Sequence, residues 1–273
     1  MSIINTNMSS LNAQRNLTKS SNELSTSMQR LSSGLRVNSA KDDAAGLSIA
    51  TKMDSQIRGM SQASRNANDG ISMIQTADGA LSNISDALQR MRELAVQGAN
   101  DTNGDAEWSN ISTEITALNT EIGRIASDTK FNGTVLLDST AVTKSIQVGA
   151  DSGQKIEVAF GANTDYAGLQ ATDLTITDAA SASAAISAID DALKALNTER
   201  SSLGTAQNRM GYAISNLATS IENQSAAKSR ITDTDYASET SKLSRSQVLQ
   251  QAGTAMLAQA NSAPNNVMSL LRG

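Results

Sequence analysis

The chain has 273 residues, 39% hydrophobic and 18% charged, with a net charge of −5 and neither histidine nor cysteine. Those absences remove Ser-His-Asp triads, Cys-His pairs, HExxH zinc sites and thiolate metal sites. No basic block exists to neutralise phosphates, and no run of about 18 apolar residues occurs, so neither nucleic acid nor a membrane is an expected partner.

Aromatic content is only 2%. Trp108, Phe131, Phe160, Tyr166, Tyr212 and Tyr236 are the six, leaving both ends without rings. Compact cores draw much of their buried area from aromatics, so such ends are expected to bury thin aliphatic seams. Pro264 is the single proline, and nothing before it forces a helix break. The N-terminus lacks the charged and apolar regions of a Sec-type signal peptide. The missing cysteines fit a cytosolic protein, and equally an exported one that travels unfolded.

Hydrophobic spacing predicts the elements. Leu24, Met28, Leu31 and Leu35 step by four, three and four, a helical stripe that Ile4, Met8, Leu11 and Leu17 extend upstream. Cap-prone residues over 38–43 end it. A longer stripe runs from Ile49 to Ala95 and stops in a turn cluster at 98–104. Over 44–99 it makes roughly 84 Å of helix if unbroken, the length of a rod rather than of a compact domain.

Trp108, Ile111, Ile115, Leu118, Ile122 and Ile125 give a shorter helix with the period of a packed pair. Residues 134–176 then alternate at period two. Val135 to Leu137, Ile146 with Val148, and Ile156 to Phe160 read as strands, the last two joined as a β-hairpin, with Leu174 and Ile176 offering a further short strand. The cleanest stripe follows from Ile186 to Ile221, interrupted by Arg200 and Gln207, polar positions suited to fixing register. After a cap-like break near 230–236, a final segment carries Leu243, Leu249, Met256, Leu257, Leu270 and Leu271.

The expected fold is mainly α: a long antiparallel, coiled-coil-like helical rod with a small β-hairpin region and paired terminal helices. The terminal pair has narrow seams. Alone it buries too little to offset about 1–2 kcal/mol of backbone ordering entropy per residue, so it is expected either to stay disordered or to find neighbours.

No catalytic, cofactor or metal residue emerges. The acidic pairs Asp42-Asp43 and Asp190-Asp191 read as solvated or helix-start charges, and residues 101–105 as turn chemistry rather than an EF-hand. One surface stands apart. Arg90, Leu94 and Gln97 lie beside the stripe of Leu88, Met91 and Ala95, and are expected to present an exposed apolar residue beside a guanidinium. It is an ordinary flank or a partner site; spacing does not choose.

Several long motifs, in order, resemble bacterial flagellin: LSSGLRVNSAKDDAAGL over 31–47, Ser229-Arg230-Ile231 with Asp235-Tyr236, QQAG over 250–253, LAQAN over 257–261 and SLLR over 269–272. The resemblance covers about 1–140 and 185–273. It implies a structural subunit of the flagellar filament, extracellular and not an enzyme, with 1–43 and 234–273 as an inner-tube domain and 44–233, including the hairpin region 134–176, as the shell. Leu24, Met28, Leu31, Leu35, Leu243, Leu249, Met256, Leu257, Leu270 and Leu271 are then expected to pack the filament core. The family further implies self-polymerisation, export through the type III channel without a cleaved signal peptide, a chaperone on the C-terminal helix, and cap and hook-junction partners. A hook–filament junction protein is the alternative of the same export class. With only about 25 residues between Phe160 and Ile186, this is a minimal form without large outer domains. Finally, QRMRELAVQ over 89–97 is similar to the segment Toll-like receptor 5 recognises, making Gln89, Arg90, Leu94, Gln97 and Glu114 candidate receptor contacts.

Overall fold

The computed structural model describes residues 6–137, 142–161 and 174–272, with side chains described to residue 262. In chain order the elements are α1 (Met8–Ser33), α2 (Ala44–Gly98), α3 (Asp105–Asp128), β1 (Lys130–Phe131), β2 (Thr134–Val135), β3 (Val142–Gln147), β4 (Lys155–Phe160), α4 (Ala179–Thr232) and α5 (Tyr236–Arg272). They form two compact units, one of Met1–Ser55 with Asn223–Gly273 and one of Gln56–Glu222.

The second unit holds the apolar core. Leu81, Ile84, Leu88 and Met91 of α2 are fully buried with Ile115 of α3 and Ile189, Leu196 and Met210 of α4. These are the predicted stripe residues, so the helical period carried the packing faithfully. Arg200, the polar interruption, pairs with Asp78 at 2.8 Å. The pair joins two stripe positions that apolar contact would otherwise leave free to slide.

The predicted hairpin exists as β3 and β4, antiparallel, with Ile146 opposite Ile156 and Val142 opposite Phe160. It leans on the helices as a two-stranded sheet must: Ile156, Val158 and Phe160 are buried in the same core. Gly70 permits the approach. A Cβ there would stand 2.5 Å from Ile146 Cδ1 and 2.9 Å from Met210 Sδ.

Two expectations in this region differ from the structure. The 135–137 strand is only Val135, which joins Thr134 in β2 and pairs with β1 across a turn at Asn132-Gly133, both at positive φ. Leu136 and Leu137 leave the strand and are buried instead. Leu174 and Ile176 make no strand either. Both are buried, and the Ile176 N–H points to Ser112 Oγ at 3.4 Å. Short apolar alternation marks burial, and burial does not require a ladder partner.

In the first unit α1 pairs with α5. Asn7 caps α1, accepting from Ser10 N at 3.0 Å and donating to Ala260 O at 2.7 Å. α1 ends at Ser33 because Gly34 turns left-handed at φ 71°, a conformation glycine alone adopts without penalty. Leu35 thus lies outside the predicted helix, in a bridge with Asp233.

Gly79, Gly204 and Gly211 lie on α2 and α4 with nothing within 4 Å of an added Cβ. Each Gly→Ala change is expected to stabilise the monomer by about 0.5–1 kcal/mol through helix propensity. Thermal melting of the triple variant checks this: its midpoint rises, whereas an unchanged or lower midpoint contradicts the open environment.

Candidate functional site: the terminal helices and an exposed flank

The terminal pair is built differently from the core. Its buried positions are polar: Ser27, Glu239 and Ser246. Glu239 accepts from Ser27 Oγ at 2.7 Å and from Lys242 Nζ at 3.1 Å. Burial pushes its carboxyl upward, but these two hydrogen bonds with the charges of Lys242 and Arg30 outweigh that and hold it below its ordinary value. This contribution to helix pairing is present at neutral pH and is lost as pH falls through the depressed value.

The apolar residues assigned to the filament core divide. Leu24, Leu31, Leu35, Leu243 and Leu257 are half-buried. Met28, Leu249 and Met256 are exposed at 57%, 46% and 65%. The side chains of Leu270 and Leu271 lie outside the described residues. Sequence reasoning passed over Val248, exposed at 64%, because it sits off the leucine spacing. Complete burial of one such side chain is worth about 1.5–3 kcal/mol, so this single chain leaves much of its terminal apolar surface unused.

The joint between terminal and rod segments explains the longest motif. Arg36 donates through its backbone N–H to Thr232 O at 2.6 Å and through Nη2 to Ile231 O at 2.7 Å, while Thr234 N–H donates to Gly34 O at 2.9 Å. Asp42 Oδ2 accepts from Ser39 Oγ at 2.9 Å and from the N–H groups of Ser39 and Asn38. The Ser39 bonds hold its carboxyl below the usual range. Asp43 Oδ1 accepts from Gly46 N–H at 2.8 Å, serving the first turn of α2. Lys228 closes on Asp54. The acidic pair is loop and helix-start chemistry.

The flank on α2 is corrected by the structure. Gln89, Arg90 and Gln97 are exposed, as is Glu114 on α3. Leu94 is not: at 3% exposure it belongs to the core. Leu94 shares one buried cluster with Leu88, Met91 and Ala95 and with Ile111 and Ile115 of α3, Leu174 and Ile176, so the covered face of α2 is wider than one narrow stripe. What faces solvent is a charged cluster. Arg90 Nη2 lies 2.9 Å from Glu114 Oε1 and Nη1 lies 3.2 Å from Glu93 Oε2. Beside it Arg92 pairs with Asp190 at 2.6 Å, which places the second acidic pair on a solvated helix face.

Among the described residues no helix is long and apolar enough to cross a membrane. A rod-forming core with a terminal pair that leaves its apolar surface open is the construction of a polymer subunit. Comparison with known proteins gives the family. The family model of the bacterial flagellin N-terminal helical region matches residues 4–142, and that of the C-terminal helical region matches 186–271. A flagellin of Halalkalibacterium halodurans is 49% identical over 273 residues, covering 99% of this chain and all of the relative. Among solved structures, Bacillus cereus flagellin is similar at 35% identity and a TM-score of 0.51, over 56% of this chain and 88% of that one. A chain described as a flagellar hook-associated protein of Vibrio parahaemolyticus reaches a TM-score of 0.59 over 70% of this chain and all of its own, but at 14% identity that likeness is one of fold alone. The chain belongs to the bacterial flagellin family, and it is a structural subunit of the flagellar filament.

Proposed function

We propose that the terminal segments 1–43 and 234–273 form the filament's inner tube and that 44–233 forms its shell. The observation that supports this is the exposed apolar surface of the α1–α5 pair, at Met8, Leu11, Met28, Val248, Leu249 and Met256. Neighbouring copies cover it, which is how two helices with polar buried positions become a stable layer. The chain reaches the filament through the type III channel without a cleaved signal peptide, held beforehand by a chaperone on α5 and placed beneath the cap beyond the hook-junction proteins. No catalytic activity is assigned to it. Purified full-length chain added to short filament seeds elongates them, as seen by electron microscopy. A Leu249→Ser, Met256→Ser double variant does not, at unchanged monomer helicity. Failure of the unaltered chain to elongate seeds under any salt condition overturns the filament layout; equal elongation by the variant overturns the assigned surface.

The flank on α2 and α3 is proposed as a contact for host Toll-like receptor 5, through Arg90, Glu114, Gln89 and Gln97. Leu94 supports it from beneath rather than by touching the receptor. Monomer carrying Arg90→Ala with Glu114→Ala gives a weaker receptor-reporter signal than unaltered monomer. Equal signals rule the contact out.

A further inference from the structure

Between α1 and α5 lies a groove of about 370 Å³ lined by Lys19, Glu23, Arg30, Glu239, Lys242 and Arg245 among others. Four cations face two carboxylates. The Glu239 carboxylate is already engaged by Ser27 and Lys242 and feels the Arg30 charge, and Glu23 is the one other carboxylate lining the groove. Arg30 is the telling residue. Its Nε is buried and has no hydrogen-bond partner. A buried donor without an acceptor costs more than a made bond returns, so at this N–H the groove is short of one acceptor within a single chain.

The distribution of charge indicates what completes it. Met1–Ser55 with Asn223–Gly273 carries 11 Lys and Arg against 7 Asp and Glu, while Gln56–Glu222 carries 11 against 20. Copies that are net negative repel one another unless opposite patches meet. Each copy brings a basic terminal pair and an acidic remainder, which are complementary between copies.

We infer that the groove bounded by Lys19, Arg30 and Arg245 docks a carboxylate from a second copy of this chain, so that filament growth is set by charge pairing as well as by apolar burial. This rests on the filament reading above. A guanidinium–carboxylate pair is charge-assisted and directional, so it fixes the register of one copy on the next where the sparse apolar contacts do not. Lys19 and Arg245 lie on the exposed sides of α1 and α5, and the incoming group reaches Arg30 between them.

Full-length chain is added to filament seeds at low and high sodium chloride, and the monomer left at the plateau is measured with monomer circular dichroism. For Arg30→Gln with Arg245→Gln the plateau monomer concentration rises about tenfold or more, the effect of losing one charge-assisted bond. Lys19→Gln with Arg245→Gln, both at exposed positions, raises it in the same direction without touching a buried atom. Arg15→Gln, which removes an α1 charge outside the groove, leaves it near the unaltered value, and high salt narrows the gap between unaltered chain and groove variants. Unaltered plateau values for both groove variants overturn the inference, as does an equal rise for Arg15→Gln, which marks a general charge effect. If the unaltered chain itself fails to elongate seeds, the filament layout falls and not this groove alone.

Discussion

A chain reduced to residues 44–233 unfolds in one cooperative transition and adds to no filament seed. Every member of the two apolar clusters lies between Ile57 and Ile221, so the truncation removes none of them. The hairpin contacts and the Arg200–Asp78 pair remain as well. What is lost is the α1–α5 pair, which among the described side chains exposes Met8, Leu11, Met28, Tyr236, Val248, Leu249 and Met256. At about 1.5–3 kcal/mol for each side chain fully buried between copies, losing even two of these contacts costs more than a hundredfold in association. Circular dichroism melting and seed elongation under the electron microscope give the two readouts. Elongation by the truncated chain removes the terminal helices from the assembly role, and a broad, uncooperative melt means that the rod segment depends on them to fold.

The rod was readable because its signal is redundant. Between Ile186 and Ile221 the three-and-four spacing repeats without a slip, and Ile189, Leu196, Leu203 and Met210 are all buried. Propensity, pattern and packing agree there. The joint was readable from composition, since residues 38–43 are those that cap and turn, and the structure uses Asp42 and Asp43 for that purpose. The terminal pair was legible in outline only. Its stripe gave the helices but not the buried Ser27–Glu239 contact, because nothing in local spacing ties residues 212 positions apart. The β1–β2 turn does not show in the periodicity. Asn132-Gly133 is a hairpin-turn dipeptide, but its flanking strands are two residues each, too short to show a period of two. Leu174 and Ile176 carried the pattern of a strand and the fact of burial, and only burial was realised.

Leu94→Ala lowers the melting temperature of the monomer by about 5–15 °C, while Arg90→Ala leaves it within a few degrees. Leu94 is 3% exposed among core side chains of the second unit, and removing a buried leucine costs about 2–5 kcal/mol through lost transfer energy and the cavity left behind. At this size each kcal/mol is worth about 2–4 °C. Arg90 is half exposed, as are Glu93 and Glu114, and surface pairs of this kind contribute about 0–1 kcal/mol. Differential scanning calorimetry of the two single variants separates them. Equal melting temperatures place Leu94 outside the core and return it to the exposed flank that its spacing first implied. The difference decides how the receptor proposal is tested. A variant carrying Leu94→Ala loses signal either by losing a contact or by loosening α2 against α3, and the assay cannot tell these apart. Arg90→Ala with Glu114→Ala removes both ends of one exposed ion pair, leaves the core intact, and makes any loss of signal a statement about the surface.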